Sequence, residues 1–141
     1  MSTSTLRFII TLILIAHGLG HAIGILAVAG IKLSSTHSST SWLLTKLLGD
    51  SAIKITSSVI WLIAIIGFVG AGMGIQNWIV SQDYWQNLAK LAAIVSLVGL
   101  ILFWNAFPFF IPNKAGIILV DMLVIISLYW IQWPRDLLTN H

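Results

Sequence analysis

The chain has 141 residues, of which 58% are hydrophobic and only 8% are charged, and its formal net charge is +3. A soluble domain of this length carries far more charge, so the composition excludes an ordinary soluble protein. The seven basic residues are dispersed, so we expect no nucleic-acid partner. The absence of cysteine excludes disulfides, thiolate metal ligands and a cysteine nucleophile.

Four long apolar stretches predict four helices, over about residues 6–30, 55–78, 86–107 and 115–133. Each is close to the ~20 residues that a helix needs to cross the hydrocarbon core of a bilayer. We therefore predict an all-α integral membrane four-helix bundle, a single domain over residues 1–141 that lies in the lipid bilayer with both termini on the same side. The first stretch also resembles a signal peptide, with a candidate cleavage site at residues 27–29. Its length and its two histidines favour a retained helix.

A hydroxyl-rich segment, residues 32–50, connects the first two predicted helices. Its first half is rich in Ser and Thr and predicts a solvated loop in which His37 is exposed. Residues 41–49 predict either a short helix lying flat on the membrane surface or a backward extension of the second helix. Between the third and fourth helices, Pro108 and Pro112 predict a break in the chain.

Aromatic and small residues support the four predicted helices. All seven tryptophans fall near helix ends, where aromatic belts form at the two membrane interfaces. Small residues recur at helical spacing and predict close packing of helices in lipid. These small residues include Ala16, Gly20, Gly24, Gly67, Gly74, Ser96 and Gly99.

His17 and His21 lie within the first apolar stretch, in the sequence AHGLGHAIG. Counted from Leu6, a rise of 1.5 Å per residue places them about 16 Å and 22 Å into the membrane. A spacing of four residues makes both imidazoles point to the same side of the helix, about 40° apart. Ionisable groups at this depth are expensive in lipid and indicate a function or a specific partner.

Three further polar residues are predicted to reach the same half of the membrane. Asn105 lies near the end of the third helix, Lys114 lies just before the fourth helix, and Asp121 lies about six residues into it. We expect a ligand site formed by His17, His21, Asn105, Lys114 and Asp121. Its metal ligands would be His17, His21 and Asp121, because two imidazoles and one carboxylate form a common ligand set for transition metals.

Several functions remain open for this cluster. It would bind a transition metal, a small ligand, or a haem-like cofactor with one imidazole as axial ligand. It would alternatively form part of a proton or ion pathway, or provide a general acid and base for chemistry on a lipid. In the competing hypothesis the protein is an accessory or scaffold subunit, in a homo-oligomer or a larger membrane complex, and the polar residues only join helices.

The pattern HGxxHxxG, formed here by His17, Gly18, His21 and Gly24, resembles the first helix of small four-helix prokaryotic membrane proteins of unknown function. In that group an acid or amide is followed by Lys-x-Gly at the start of the fourth helix, which corresponds here to Asn105 and residues 114–116. The spacing between these two elements is longer in this chain. The resemblance implies a site in the bundle and no particular reaction.

Overall fold

A computed structural model describes residues 2–132, and this part of the chain contains helices and turns but no strand. Four helical spans are long and apolar enough to cross a membrane: Thr3–Val28, Thr45–Ile75, Gln82–Leu102 and Phe110–Ile131. The protein is therefore an all-α, multi-pass membrane protein built as a four-helix bundle. Trp133, predicted to end the fourth helix, lies outside the described residues.

The first span consists of two helices, α1 (Thr3–Gly20) and α2 (Ala22–Val28), joined at His21. The His21 side chain causes the junction. Its Nδ1–H donates to the carbonyl of His17 at 2.9 Å, while its backbone N–H turns to the carbonyl of Gly18 at 3.1 Å. A side chain that inserts into the helical hydrogen-bond pattern tightens the turn locally. The span continues in nearly the same direction, because His21 keeps a right-handed helical conformation.

The second span is helix α3 (Thr45–Ile75), which starts about ten residues earlier than the sequence suggested. Gly49, with φ of 78°, interrupts it, so residues 45–48 form a separate first turn ahead of the long helix. Helix α3 thus includes residues 45–49, with an interruption at Gly49. The segment is joined to the second helix, but Gly49 changes its direction, because a positive φ is compatible with a turn and not with a continuous helix.

The third span contains a 3₁₀ turn (Gln82–Tyr84) and helix α4 (Trp85–Leu102). Helix α4 ends five residues before the predicted limit, and Trp104–Ala106 form a separate 3₁₀ turn. Phe103 and Phe107 on either side of this turn are both buried and meet the Trp61 ring edge to face. The fourth span starts with a wide turn (Phe110–Lys114), continues as α5 (Ala115–Ile125) and ends in a π-helical segment (Ile126–Ile131).

The spans pack in sequence, the first against the second, the second against the third, and the third against the fourth. Their buried apolar side chains form two clusters. One cluster is centred on Phe68 and Trp85, and the other on Trp61 and Phe107. His21 contacts Phe68 of the first cluster and Trp61 and Phe107 of the second, so a polar layer lies between the two clusters.

The tryptophans do not all lie on the surface of the bundle, as a complete set of aromatic belts would require. Of the six that the structure describes, Trp61 and Trp85 are buried, whereas Trp42, Trp78, Trp104 and Trp130 are exposed. Trp61 packs between two glycines. A Cβ on Gly24 would lie 2.6 Å from its indole, and one on Gly99 would lie 2.9 Å from the opposite side of the ring. Gly20, predicted to pack, faces open space.

Candidate functional site

An ion pair between His17 and Asp121 joins the first and fourth spans. His17 Nε2 lies 2.8 Å from Asp121 Oδ1, and the carboxylate is completely buried while the histidine is 9% exposed. The two residues belong to spans that are not sequential neighbours in the packing order. At this distance a proton must lie between the nitrogen and the oxygen, because two lone pairs would repel one another.

His21 forms a second polar pair, with Ser96 on helix α4. Its Nδ1–H donates to the His17 carbonyl, which can only accept, so in the neutral ring Nε2 is an acceptor. The Ser96 hydroxyl donates to this nitrogen at 2.7 Å, and both side chains are fully buried. Metal-binding histidines are commonly oriented in this way, with one nitrogen fixed by a backbone carbonyl and the other presenting its lone pair.

Aromatic rings hold both imidazoles in place. The two histidine rings meet edge to face, with centroids 4.9 Å apart and planes at 90°. Phe68 stacks on His21 at 5.8 Å and meets the His17 ring edge to face at 4.6 Å. Trp61 and Phe107 complete the wall around His21. The polar groups are therefore fixed in orientation and surrounded by low-dielectric side chains, where charged contacts are strong.

His17, His21 and Asp121 together offer three ligand atoms that lie within 4.8 Å of one another. The second carboxylate oxygen of Asp121, Oδ2, is buried and has no hydrogen-bond partner among the described residues. A buried acceptor without a partner costs about 1–3 kcal/mol, and more when it is charged. A cation beside this oxygen would satisfy it. The three side chains thus offer two imidazole nitrogens and a carboxyl group with an unpartnered oxygen as candidate metal ligands.

The structure brings together three of the five predicted site residues and places the other two elsewhere. Asn105 is exposed in the 3₁₀ turn after α4, with its backbone carbonyl accepting a hydrogen bond from the Ser38 N–H at 3.0 Å. Asn105 follows Ser96 by nine residues, about two and a half helical turns, so even a continuous helix would place it on the side opposite the site. Lys114 is buried, but its ammonium lies over the Trp104 ring, 4.6 Å from the centroid.

Ser96 is the site residue that the sequence did not identify. It was expected to act only as a small packing residue on the third helix, in the same stripe as Ala89, Ala92 and Gly99. Its hydroxyl is the signal, because a buried serine in an apolar helix needs a hydrogen-bond partner. The sequence alone does not tell which helix supplies that partner.

His37 is buried, contrary to the prediction of an exposed loop histidine. Its Nδ1 accepts from the Leu33 N–H at 3.2 Å, and its Nε2–H donates to the Ala106 carbonyl at 3.0 Å. The side chain therefore ties the hydroxyl-rich loop to the turn that follows α4. The loop lies against the bundle because the carbonyls after the end of a helix are free to accept bonds.

Comparisons with protein-family models, curated proteins and solved structures gave no match to this chain. The site itself consists of two fixed imidazoles, one buried carboxyl group with an unpartnered oxygen, and one serine hydroxyl, all within the hydrophobic interior of a membrane protein.

Proposed function

We propose that this protein binds a divalent transition-metal ion through His17, His21 and Asp121, inside the membrane-spanning bundle. The observation that carries the proposal is the combination of three convergent ligand atoms with the buried, unpartnered Oδ2 of Asp121. Two imidazoles and one carboxylate suit zinc and non-haem iron(II), which leave further coordination positions for water or a substrate. Calcium and magnesium are disfavoured, since both prefer oxygen ligands.

The distances require the site to close around the ion. Two atoms that bind one ion tetrahedrally at about 2.1 Å lie about 3.4 Å apart. The ligand atoms lie within 4.8 Å, so the widest pair has to approach by up to about 1.4 Å. His21 already presents a lone pair. The proton between His17 and Asp121 has to leave for the ion to enter, and Ser96 has to turn its hydroxyl away from His21.

Metal content tests the proposal directly. Protein purified gently from membranes, or stripped with chelator and reloaded with Zn²⁺ or Co²⁺, is expected to hold one ion per chain. Asp121→Asn and His21→Ala should remove it. Asp83→Asn and His37→Ala are matched controls, because they alter an exposed aspartate and a buried histidine outside the site, and both should keep the ion. The absence of stoichiometric metal in folded wild type, or a haem absorption band, would overturn the proposal.

A second candidate function is supported by the position of the ion pair. His17 and Asp121 join the two spans that close the bundle, so the pair would act as a structural link between them in a scaffold or accessory subunit. In that case His17→Ala and Asp121→Asn lower the melting temperature in detergent by similar amounts, and neither changes the metal content. In the metal-binding case the apoprotein variants remain folded, but they lose the extra stability that added Co²⁺ gives to the wild type.

For the membrane topology, we propose that the four spans cross in alternating directions and leave both termini on the same side. An even number of crossings is the support. Because the chain has no cysteine, single cysteines introduced at Ser2 and at Thr139 can be labelled in intact cells with an impermeant maleimide. Both positions should react, or both should be protected. Labelling of only one of them would show that the number of crossings is odd.

A further inference from the structure

We infer that the protein binds one anionic, phosphate-headed lipid in a composite pocket formed by the first, third and fourth spans. The lipid chain would occupy an apolar groove, and its head group would lie in an adjoining polar pocket beside Lys90. Leu128 lines both cavities, so they lie next to each other. The groove is next to the His17–Asp121 pair, but it uses different residues, so lipid binding does not depend on a bound metal.

The apolar part is a groove of about 270 Å³. It is lined almost entirely by apolar atoms, and its walls include Ile10, Leu14, Ala89, Val120, Val124 and Leu128. From Val120 to Leu128 it follows the fourth span for about 12 Å, at a rise of 1.5 Å per residue. This length is close to the depth of one leaflet, about half of the ~30 Å hydrocarbon core. If a methylene group takes about as much space as a water molecule, about 30 Å³, the groove accommodates roughly nine of them.

The polar part is a pocket of about 100 Å³ lined by Gln86, Lys90 and Gln132 together with Leu128. Lys90 supplies the positive charge, and its ammonium lies 4.9 Å from the centre of the Tyr129 ring, which holds it at the pocket. Two amides and one ammonium suit phosphate oxygens, because all three side chains donate hydrogen bonds. Among residues 2–132, the lining of this pocket includes no carboxylate.

The charge of the polar pocket and its position beside the apolar groove select the occupant. A zwitterionic lipid would bring its own cation close to Lys90, whereas an anionic phosphate lipid matches the pocket and attracts the lysine by about 1 kcal/mol. The chain then extends from this head group towards the middle of the membrane. Its far end reaches Leu14 and Val120, and these residues lie one turn before His17 and directly before Asp121, respectively. A bound chain would therefore end beside the candidate metal site.

Native mass spectrometry of delipidated protein, mixed with equal amounts of phosphatidylglycerol and phosphatidylcholine, tests this inference. We expect one retained phosphatidylglycerol per chain. Lys90→Gln should weaken its binding about fivefold, which corresponds to about 1 kcal/mol. Lys54→Gln, at an exposed lysine on the second span, should leave binding unchanged. Equal retention of the two lipids, or equal effects of the two lysine variants, would overturn the inference.

A second pair of variants tests the groove itself. Val120→Phe places an aromatic ring into the groove and should reduce retention of the lipid. Leu119→Phe alters an exposed neighbour that does not line the groove, and it should leave retention of the lipid unchanged. Loss of lipid in both variants, or in neither, contradicts the assigned position of the chain. Metal content measured on the same samples separates the two proposals, because Lys90→Gln should leave the bound metal in place.

Discussion

The packing of Trp61 between two glycines gives a quantitative prediction for the substitution Gly24→Ala. The added Cβ would lie 2.6 Å from both Cδ1 and Nε1 of the indole, far inside ordinary contact distance. Trp61 is completely buried, and its Nε1–H donates to the Ser57 hydroxyl at 3.0 Å, so the ring cannot move away without losing that bond. Gly99 restricts it on the opposite side.

The expected change in the free energy of unfolding is the balance of two contributions. Overpacking of a rigid core costs about 1–3 kcal/mol, and we take the upper value because the obstructing group is a confined ring. Replacing glycine by alanine in a helix stabilises the helix by about 1 kcal/mol. The net destabilisation is therefore about 2 kcal/mol. At about 2–4 °C for each kcal/mol, the melting temperature should fall by about 4–8 °C.

Gly20→Ala is the matched control, because this glycine lies one turn earlier in the same span and its added Cβ would meet nothing within 4 Å. It should leave the melting temperature unchanged or raise it slightly. Both variants can be melted in a mild detergent and followed by near-ultraviolet circular dichroism, which reports on tryptophan packing. If Gly24→Ala melts at or above the wild-type temperature, the reasoning about the Trp61 packing is refuted.

Three further predictions follow from individual contacts. Ser96→Ala leaves the buried Nε2 of His21 without a hydrogen-bond donor, so thermal melts should show a loss of about 1–3 kcal/mol in the stability of the apoprotein. The control Ser58→Ala removes only an exposed hydroxyl that bonds to its own helix, and it should have little effect. His37→Ala removes both hydrogen bonds that hold the loop against the bundle, so trypsin should cleave faster at Lys32. Thr36→Ala, at an exposed neighbouring position, should not change the cleavage rate. Equal cleavage rates in the two variants would contradict the role given to His37. Co²⁺ affinity should rise with pH, by no more than about tenfold per unit, because the ion displaces the proton shared by His17 and Asp121. An affinity that falls with rising pH would show that the ion does not replace this proton.

Much of the fold follows from the sequence by local rules. Four apolar stretches predict four spanning helices, because in lipid each segment must satisfy its own backbone hydrogen bonds. The four-residue spacing of His17 and His21 likewise fixes their common helix face before any neighbour is considered. Asp121 could be predicted to face inward, since a carboxylate facing lipid is expensive.

The contacts that define the site depend on how the helices meet. Nothing near Ser96 in the sequence indicates that its hydroxyl reaches His21, 75 residues earlier in the chain. Asn105 is predicted at the site from its depth and is exposed, because it lies about half a helical turn out of phase with Ser96, which bonds His21. His37 is buried because the Ala106 carbonyl, which follows α4, accepts a hydrogen bond from its imidazole.

The composition and periodicity of a segment depend only on its own residues, and they determine which segments cross the membrane. The rotation and the end point of each helix are set by the side chains of the neighbouring helices, so only the tertiary structure decides which polar groups meet.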